Sequence, residues 1–335
     1  MRSTILFGGL NKERLVSVAS TKAVNATMPE ADLWFWDIDG TVSEADAKAL
    51  QAHARPFEEP FKASGRRIGT IEQALDRAKA EARVLVLSMH GGMAESGELQ
   101  AMCELRGVAF TGSGSASSFL AFDKVNAKRF AEIAQLSVAP EIDLDGADAA
   151  LETYGKLIAK PAKDGSSYGL IFVNAQQDLV AVRNAAKTEE YLIEAFIAGS
   201  EATCGVLETA DGDVIALPPI EIVTAEGQFD YTAKYLAKST QEICPARFPP
   251  EVNARLMDEA VRAHRVLSCR GYSRSDFIVS DKSLTYLETN TLPGLTAASL
   301  FPKMLKAQGI DFREFLLGQI ALAEARAAAG YRSRA

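Results

Sequence analysis

Tyr272-Ser273-Arg274-Ser275-Asp276-Phe277 and Leu287-Glu288-Thr289-Asn290 flank the polar turn Asp281-Lys282-Ser283. The apolar runs on either side of that turn, Asp276–Val279 and Leu284–Leu287, read as the two strands of a hairpin. A hairpin returns its ends to one place. Asp276 and Glu288, twelve residues apart, therefore converge with Asn290. Glu288 and Asn290 are two apart on one strand and share a face, and alternation puts Leu287 on the other. Three hard oxygen donors on one face suit Mg²⁺, which commonly takes phosphate oxygens as further ligands. The alternative is a solvated hairpin face.

Outward from the hairpin, further strands fit Leu157–Lys160, Leu170–Val173, Tyr191–Phe196, Ala202–Glu208 and Val214–Val223. Helices fit Phe122–Ala134, Glu251–Leu267 and Asp311–Ala329. Strands with little helix between them predict an antiparallel α+β unit. The first 110 residues or so read differently. Thr4–Phe7, Leu33–Trp36 and Val84–Ser88 are apolar strands, and helical patterns occupy Lys12 to Asn25 and Ile71–Ala82. Alternation of that kind predicts a parallel sheet with covered faces. The stretch after Gly40 is polar and helix-like, and Pro56 and Pro60 interrupt it.

The chain has 335 residues, a length that suggests two or three domains. Its net charge is −8, a poor match to a sequence-independent nucleic-acid binder. Cys103, Cys204, Cys244 and Cys269 are scattered, which reads as reduced thiols rather than a disulfide framework or zinc site. No run approaches the length of a membrane span or a signal peptide, so a cytoplasmic protein is expected.

Three motifs invite a different reading. Asp37-Ile38-Asp39-Gly40-Thr41-Val42 follows a strand and looks like the first motif of haloacid-dehalogenase-type phosphatases, but Asp and Gly also favour turns. Gly165-Ser166-Ser167-Tyr168-Gly169 matches a nucleophile elbow, with His264 downstream. An elbow needs a helix after the serine, and here the strand pattern Leu170–Val173 follows. Gly112-Ser113-Gly114 lacks the third glycine of a dinucleotide loop, since Ser117 stands there. Lys160-Pro161-Ala162-Lys163-Asp164-Gly165-Ser166-Ser167-Tyr168-Gly169 is a Gly/Ser loop between strands. Its N–H groups and hydroxyls suit phosphate oxygens, and Lys160 would add a point charge; a plain turn fits it equally.

Six blocks in order resemble the D-alanine–D-alanine ligases of the ATP-grasp superfamily. They are Phe7-Gly8-Gly9 with Glu13-Arg14 and Ser17; His90-Gly91 with Glu95, Gly97 and Gln100; and Gly112-Ser113 through Asp123-Lys124. Lys160-Pro161 with Gly165-Ser166-Ser167 follows, then Asp230-Tyr231 through Lys234-Tyr235-Leu236 to Cys244-Pro245. The last holds Arg274, Asp276, Glu288, Asn290, Pro293-Gly294 and Ser299. The resemblance runs from Ile5 to about Phe315. It implies an amino-terminal α/β domain (1–110) before a two-lobed ATP-grasp fold, with a central lobe at 111–192 and a carboxy-terminal lobe at 193–335.

The resemblance also implies a reaction. Two D-alanines are joined through an acyl phosphate, ATP becomes ADP and phosphate, and the dipeptide feeds peptidoglycan synthesis. Asp276, Glu288 and Asn290 would hold two Mg²⁺ ions, with Mn²⁺ as a substitute. Lys124, Lys160, Lys234 and Ser167 would contact ATP phosphates. Glu201 would accept the ribose hydroxyls, and Glu194 with the backbone through Ile197 would face adenine. Arg274 would stabilise the transferring phosphoryl group. Glu13, with His90 nearby, would bind the first D-alanine and form a hydrogen-bonded chain with Ser166 and Tyr235. Gly294 and Ser299 would receive the second carboxylate. A homodimer is also implied. Retention of Lys234-Tyr235 favours an amine nucleophile. The departures are Leu15, Met93-Ala94, Ser96 and the unmatched stretch 40–69. They keep open a ligase for other small amino acids, and a serine hydrolase using Ser167 or a non-catalytic nucleotide binder are the remaining alternatives.

Overall fold

The computed structural model describes residues 1–163, 165, 169–223 and 240–330. Its first sheet contains β1 (Arg2–Gly8), β2 (Asp32–Trp36), β3 (Val42–Glu44), β4 (Arg67–Gly69), β5 (Arg83–Met89) and β6 (Ala109–Phe110), in the order β4-β3-β2-β1-β5-β6. The four strands β2, β1, β5 and β6 are parallel, in accord with the alternating pattern. The stretch after Gly40 departs from its helix-like reading. It returns antiparallel along β2 as β3, forms only the short helix Ala47–Ala52, and pairs again as β4. Asp37-Ile38-Asp39-Gly40 is the turn of that hairpin, closed by the Asp37 N–H donating to the Thr41 carbonyl at 2.8 Å.

Alternation along β1 sends Ile5 and Phe7 to one face and Leu6 to the other. Leu6, Trp34 and Leu87 pack with Ile71, Leu75, Leu99 and Cys103 of the helices Ile71–Ala80 and Glu98–Arg106. Ile5, Phe7 and Phe35 pack with Val18 and Val24 of the helix Arg14–Thr27, and the same cluster includes Phe315, Leu316 and Ile320. These last belong to the helix Phe312–Ala328, so the end of the chain closes the core of its beginning.

Two further sheets follow, both almost wholly antiparallel. One has the order β10-β9-β11-β8, from β8 (Glu141–Ile142), β9 (Leu157–Pro161), β10 (Ile171–Val173) and β11 (Tyr191–Ala195). The other has the order β15-β14-β12-β16-β17-β7. It is built from β7 (Ser137–Val138), β12 (Ser200–Glu208), β14 (Ile220–Val223), β15 (Gln241–Ile243), β16 (Tyr272–Val279) and β17 (Leu284–Asn290), and β13 (Val214–Ala216) pairs with β12. The single strand expected over Val214–Val223 is thus two, divided at Leu217-Pro218-Pro219, where proline removes ladder donors. Leu256, Ala260 and Ala263 of the helix Pro250–Val266 seat on Cys204, Val206 and Phe277.

The helix expected over Phe122–Ala134 is Lys124–Ile133, and Phe122 instead ends a preceding helix, Ser115–Phe122. Asp123 separates them in an extended conformation and accepts from the Asn126 N–H, capping the second helix. Among the described residues no helix is long and apolar enough to cross a membrane.

Candidate active site

The hairpin β16–β17 sets the chemistry. Its outer pairs, Val279 with Leu284 through Phe277 with Tyr286, would place Leu287 opposite Asp276 in an unbroken ladder. A β-bulge leaves Leu287 without a cross-strand partner and brings Glu288 opposite Asp276 instead. Tyr286 can then pack on Phe277 in the core while Glu288, two residues on, faces the opposite side with Asp276. Arg274 lies opposite Asn290, so all four polar residues share one face.

That face is built from opposed charges. Arg274 donates in bidentate fashion to Asp276, with Nε to Oδ1 and Nη2 to Oδ2 both at 2.9 Å. The Thr203 hydroxyl donates to Asp276 Oδ1 at 2.6 Å. Lys124, at the start of its helix, stands 3.5 Å from Glu288. The Asn290 side-chain oxygen accepts from the Leu292 N–H at 2.8 Å and keeps a second lone pair. Two carboxylates and an amide oxygen on one face form a hard, all-oxygen donor set of the kind Mg²⁺ takes, so these residues fit such an ion.

A second group comes from the carboxyl ends of β1 and β5, where open α/β sheets bind ligands. Glu13 precedes the helix Arg14–Thr27, and His90 follows β5 directly. Asn11 joins the two loops, since its amide donates to the His90 carbonyl at 2.9 Å and its side-chain oxygen accepts from the Glu13 N–H at 2.8 Å. Ser17 links the strands beneath, accepting from the Gly8 N–H and donating to the Ser88 carbonyl. Gly91 has φ of +63°, and a Cβ there would stand 2.1 Å from a Glu13 carboxylate oxygen. Only glycine permits this approach. His90 Nε2 is 2.9 Å from the Ser20 hydroxyl, and burial pulls its pKa down to about 4.

These groups meet at one cavity of about 220 Å³. Glu13, His90, Lys124, Arg274, Glu288 and Asn290 line it together with Gly294 and Ser299. Ser299 precedes the helix Leu300–Gln308 and exchanges a 2.7 Å hydrogen bond with Thr296. Asp276 sits behind Arg274. Lys160, Glu194, Ile197 and Glu201 lie away from this lining, on β9, β11, the connection after β11, and β12. Glu194 is held between two ammonium groups, Lys128 and Lys160, each at 2.7 Å. Ser166, Ser167, Lys234 and Tyr235 lie outside the described residues. His264, a candidate partner for Ser167, is buried within its helix and bonded to the Ser273 hydroxyl at 2.8 Å.

Sequence reasoning assigned no role to three residues that line the cavity, Phe57, Glu95 and Glu242. Glu95 had a signal, since it belongs to the His90-Gly91 block. Burial, and then the nearby Glu13 charge, push its pKa up to about 8. Phe57 lies in the unmatched stretch. Glu242, on β15, forms an ion pair with Lys303.

Residues 2–113 match the family described as D-ala D-ala ligase N-terminus, and residues 149–320 match D-ala D-ala ligase C-terminus. A D-alanine–D-alanine ligase of Desulforudis audaxviator is 35% identical over 334 residues, which cover 97% of this chain and 99% of that protein. The corresponding ligase of Desulfotalea psychrophila is 37% identical, covering 94% of this chain and 92% of its own length. Among solved structures, the VanG D-Ala:D-Ser ligase of Enterococcus faecalis superposes with a TM-score of 0.80 at 28% identity, covering 96% of this chain and 99% of its own. A Bacillus anthracis D-alanine–D-alanine ligase complexed with ATP gives 0.73 at 26% identity, with 98% of each chain covered. The architecture is the expected α/β domain followed by an ATP-grasp fold. With both halves matched and the relatives spanning nearly its whole length, the chain belongs to the D-alanine–D-alanine ligase family.

Proposed function

We propose that this chain joins two D-alanines at the expense of ATP, giving D-alanyl-D-alanine, ADP and phosphate for peptidoglycan precursor synthesis in the cytoplasm. The observation that carries this reading is the single cavity onto which the hairpin face, the Glu13–His90 pair and Ser299 all open. A phosphoryl-transfer site and two amino-acid sites must adjoin in such an enzyme, because the activated carboxyl of one substrate meets the amine of the other.

The physical obstacle is repulsion between a carboxylate and a triphosphate. Arg274 and Lys124 supply fixed cations at the hairpin face, which lowers the cost of charge developing during transfer. Asp276, Glu288 and Asn290 would hold Mg²⁺, which supplies charge neutralisation to the phosphates when bound. Glu13 binds the ammonium of the first D-alanine and leaves its carboxylate toward Arg274. That carboxylate attacks the γ-phosphorus and ADP leaves, giving an acyl phosphate. The amine of the second D-alanine, held by its carboxylate at Ser299 and the Gly294 backbone, attacks the acyl carbon. Phosphate then departs as the amide forms, with Arg274 beside the oxyanion. Neutral His90 adds no competing cation to the Glu13 site.

Lys160, Glu194, Ile197 and Glu201 belong to the nucleotide side in this reading, with Ser167 and Lys234. Ser166 and Tyr235 extend the Glu13 chain. A division into units of 1–110, 111–192 and 193–335 is supported by the three sheets, though β7 and the helix Phe312–Ala328 pack outside their own segments. A second reading, ligation of another small amino acid, draws on Phe57 and Glu242 in the cavity wall. The test is phosphate release with ATP and Mg²⁺, amino acid by amino acid, with products weighed by mass spectrometry. D-alanine alone should give the dipeptide. Release with a different amino acid only would move the assignment to the second reading, and silence with every amino acid would sink both.

A further inference from the structure

Lys128 has no part in the reading above, yet it is among the most buried cations of the molecule, 4% exposed. It lies four residues after Lys124 on the helix Lys124–Ile133, so the two lysines share one helix face. Its ammonium is 2.7 Å from Glu194 Oε1, and the other oxygen, Oε2, is 2.7 Å from the Lys160 ammonium. Glu194 is itself 4% exposed. The sheet register explains the meeting. Lys160 on β9 stands opposite Leu192 on β11, and Glu194 is two residues further along β11, on the same face. Glu141 on β8 approaches Lys128 only to 4.0 Å and is much more exposed.

Two cations and one anion leave this buried triad with one net positive charge. A buried carboxylate shared by two ammonium groups stays ionised: burial pushes it up, but Lys160 and Lys128 together hold it below its usual range. Were Lys128 absent, Glu194 would neutralise Lys160 alone and the triad would carry no net charge. A polyanion arriving at Lys160 would then meet a closed ion pair.

We propose that Lys128 is a positioning residue of the nucleotide site, whose charge balances Glu194 and so leaves the charge of Lys160 available to a phosphate chain. This rests on the reading of Lys160 and Glu194 as nucleotide contacts. The mechanism is electrostatic, so it discriminates between ligands with and without phosphates. It also predicts that removing the carboxylate compensates for removing Lys128.

The experiment uses the full chain and isothermal titration with ADP and with adenosine, beside steady-state kinetics. Lys128→Met should weaken ADP about tenfold or more and raise KM for ATP in parallel. Adenosine binding and KM for D-alanine should stay within about twofold. The double variant Lys128→Met/Glu194→Gln restores one net positive charge, so its ratio of ADP to adenosine affinity, in which any loss of the Glu194 contact to adenine cancels, should return to within about threefold of the parent's. That variant buries no unpaired carboxylate, so it serves as the test if Lys128→Met alone does not fold. Equal losses for ADP and adenosine in Lys128→Met, or no recovery of the ADP-to-adenosine ratio in the double variant, would mean that Lys128 only supports packing, and the proposal falls. If the parent chain bound neither ADP nor ATP, the nucleotide reading itself would fail and take this inference with it.

Discussion

His90 and Arg274 line the same cavity, yet the two walls are built differently. At the carboxyl ends of β1 and β5, His90 loses its charge; burial draws it to about 4, against a hydrogen bond with the Leu292 backbone that favours the cation. Glu95 on the same wall is pushed up to about 8, first by burial and then by the Glu13 charge. On the hairpin wall, charges stand in contact with their opposites. Arg274 clasps Asp276 through two 2.9 Å bonds, and Lys124 stands 3.5 Å from Glu288. The difference teaches where each wall gets its polarity. On the hairpin wall the counter-charge is built in, two residues along the same strand for Arg274 and Asp276 and on the facing helix for Glu288 and Lys124. Where burial or a like charge dominates, the group goes neutral.

The largest effect comes from breaking the charged wall. Glu288→Gln and Asp276→Asn each remove a carboxylate and leave its cationic partner unmatched. Phosphate release with ATP should fall on the order of 10³-fold in each, the scale of removing one preorganised transition-state contact. Losses below about tenfold would show that the hairpin wall is not where phosphoryl transfer is organised.

The neutral wall can be tested through stability. Glu95 holds its proton in the folded chain up to about 8, against 4.5 for the ordinary group. Below 4.5 both states are protonated and its stabilising contribution is complete. As pH rises toward 8, the unfolded chain releases a proton that the folded chain keeps, and stability is lost. Glu95→Gln does not titrate. Its melting temperature relative to the parent should therefore rise between pH 5 and 8.5, by a few degrees or more. A constant difference over that range would contradict the buried, protonated state.

His90 supplies the opposite slope. Its folded pKa lies near 4, below the ordinary 6.5, so its stabilising contribution is whole above 6.5 and lost as pH falls toward 4. His90→Asn should gain on the parent as pH is lowered through that window, by less than Glu95→Gln gains in the alkaline direction, because its shift is smaller. Thermal unfolding at pH 4.5 and 7 reads this directly. Equal differences at both pH values would mean that His90 is charged in the folded state.

Much of this arrangement was legible in the residues. The convergence of Asp276, Glu288 and Asn290 follows from a hairpin and from the period of two, and β16 and β17 place them so. The parallel core of the first sheet followed from apolar runs alternating with helical ones. What stayed hidden depended on contacts between distant segments. The bulge at Leu287 could not be read, because the spacing from Asp276 to Glu288 looks compatible with a plain hairpin; only the pairing of Val279 with Leu284 reveals the extra residue. The segment Asp311–Ala329 could be read as a helix, but not its partner, the sheet at the other end of the chain. The edge hairpin β3–β4 is too short and polar to outweigh a helical reading of Ala47–Ala52 and its surroundings. Glu95 stood in the His90-Gly91 block, but only folding shows it beside Glu13. Lys128 looked like an ordinary helix lysine for the same reason.

The smallest effect sharpens the account of the charged wall. Asp276 is fixed by a cation, Arg274, and by a neutral donor, the Thr203 hydroxyl at 2.6 Å. Thr203 is fully buried on β12, directly opposite Asp276 in the sheet register. Thr203→Val keeps the shape and the β-branched side chain but removes the donor. The carboxylate retains both bonds to Arg274, so its charge survives while its orientation is freed. Loss of a hydrogen bond to a charged group costs about 1.5–3 kcal/mol. Thermal unfolding should record a loss of that size. Phosphate release should fall far less than in Asp276→Asn, about tenfold. If Thr203→Val were as damaging as Asp276→Asn, orientation by the hydroxyl, and not pairing with Arg274, would be what makes this wall work.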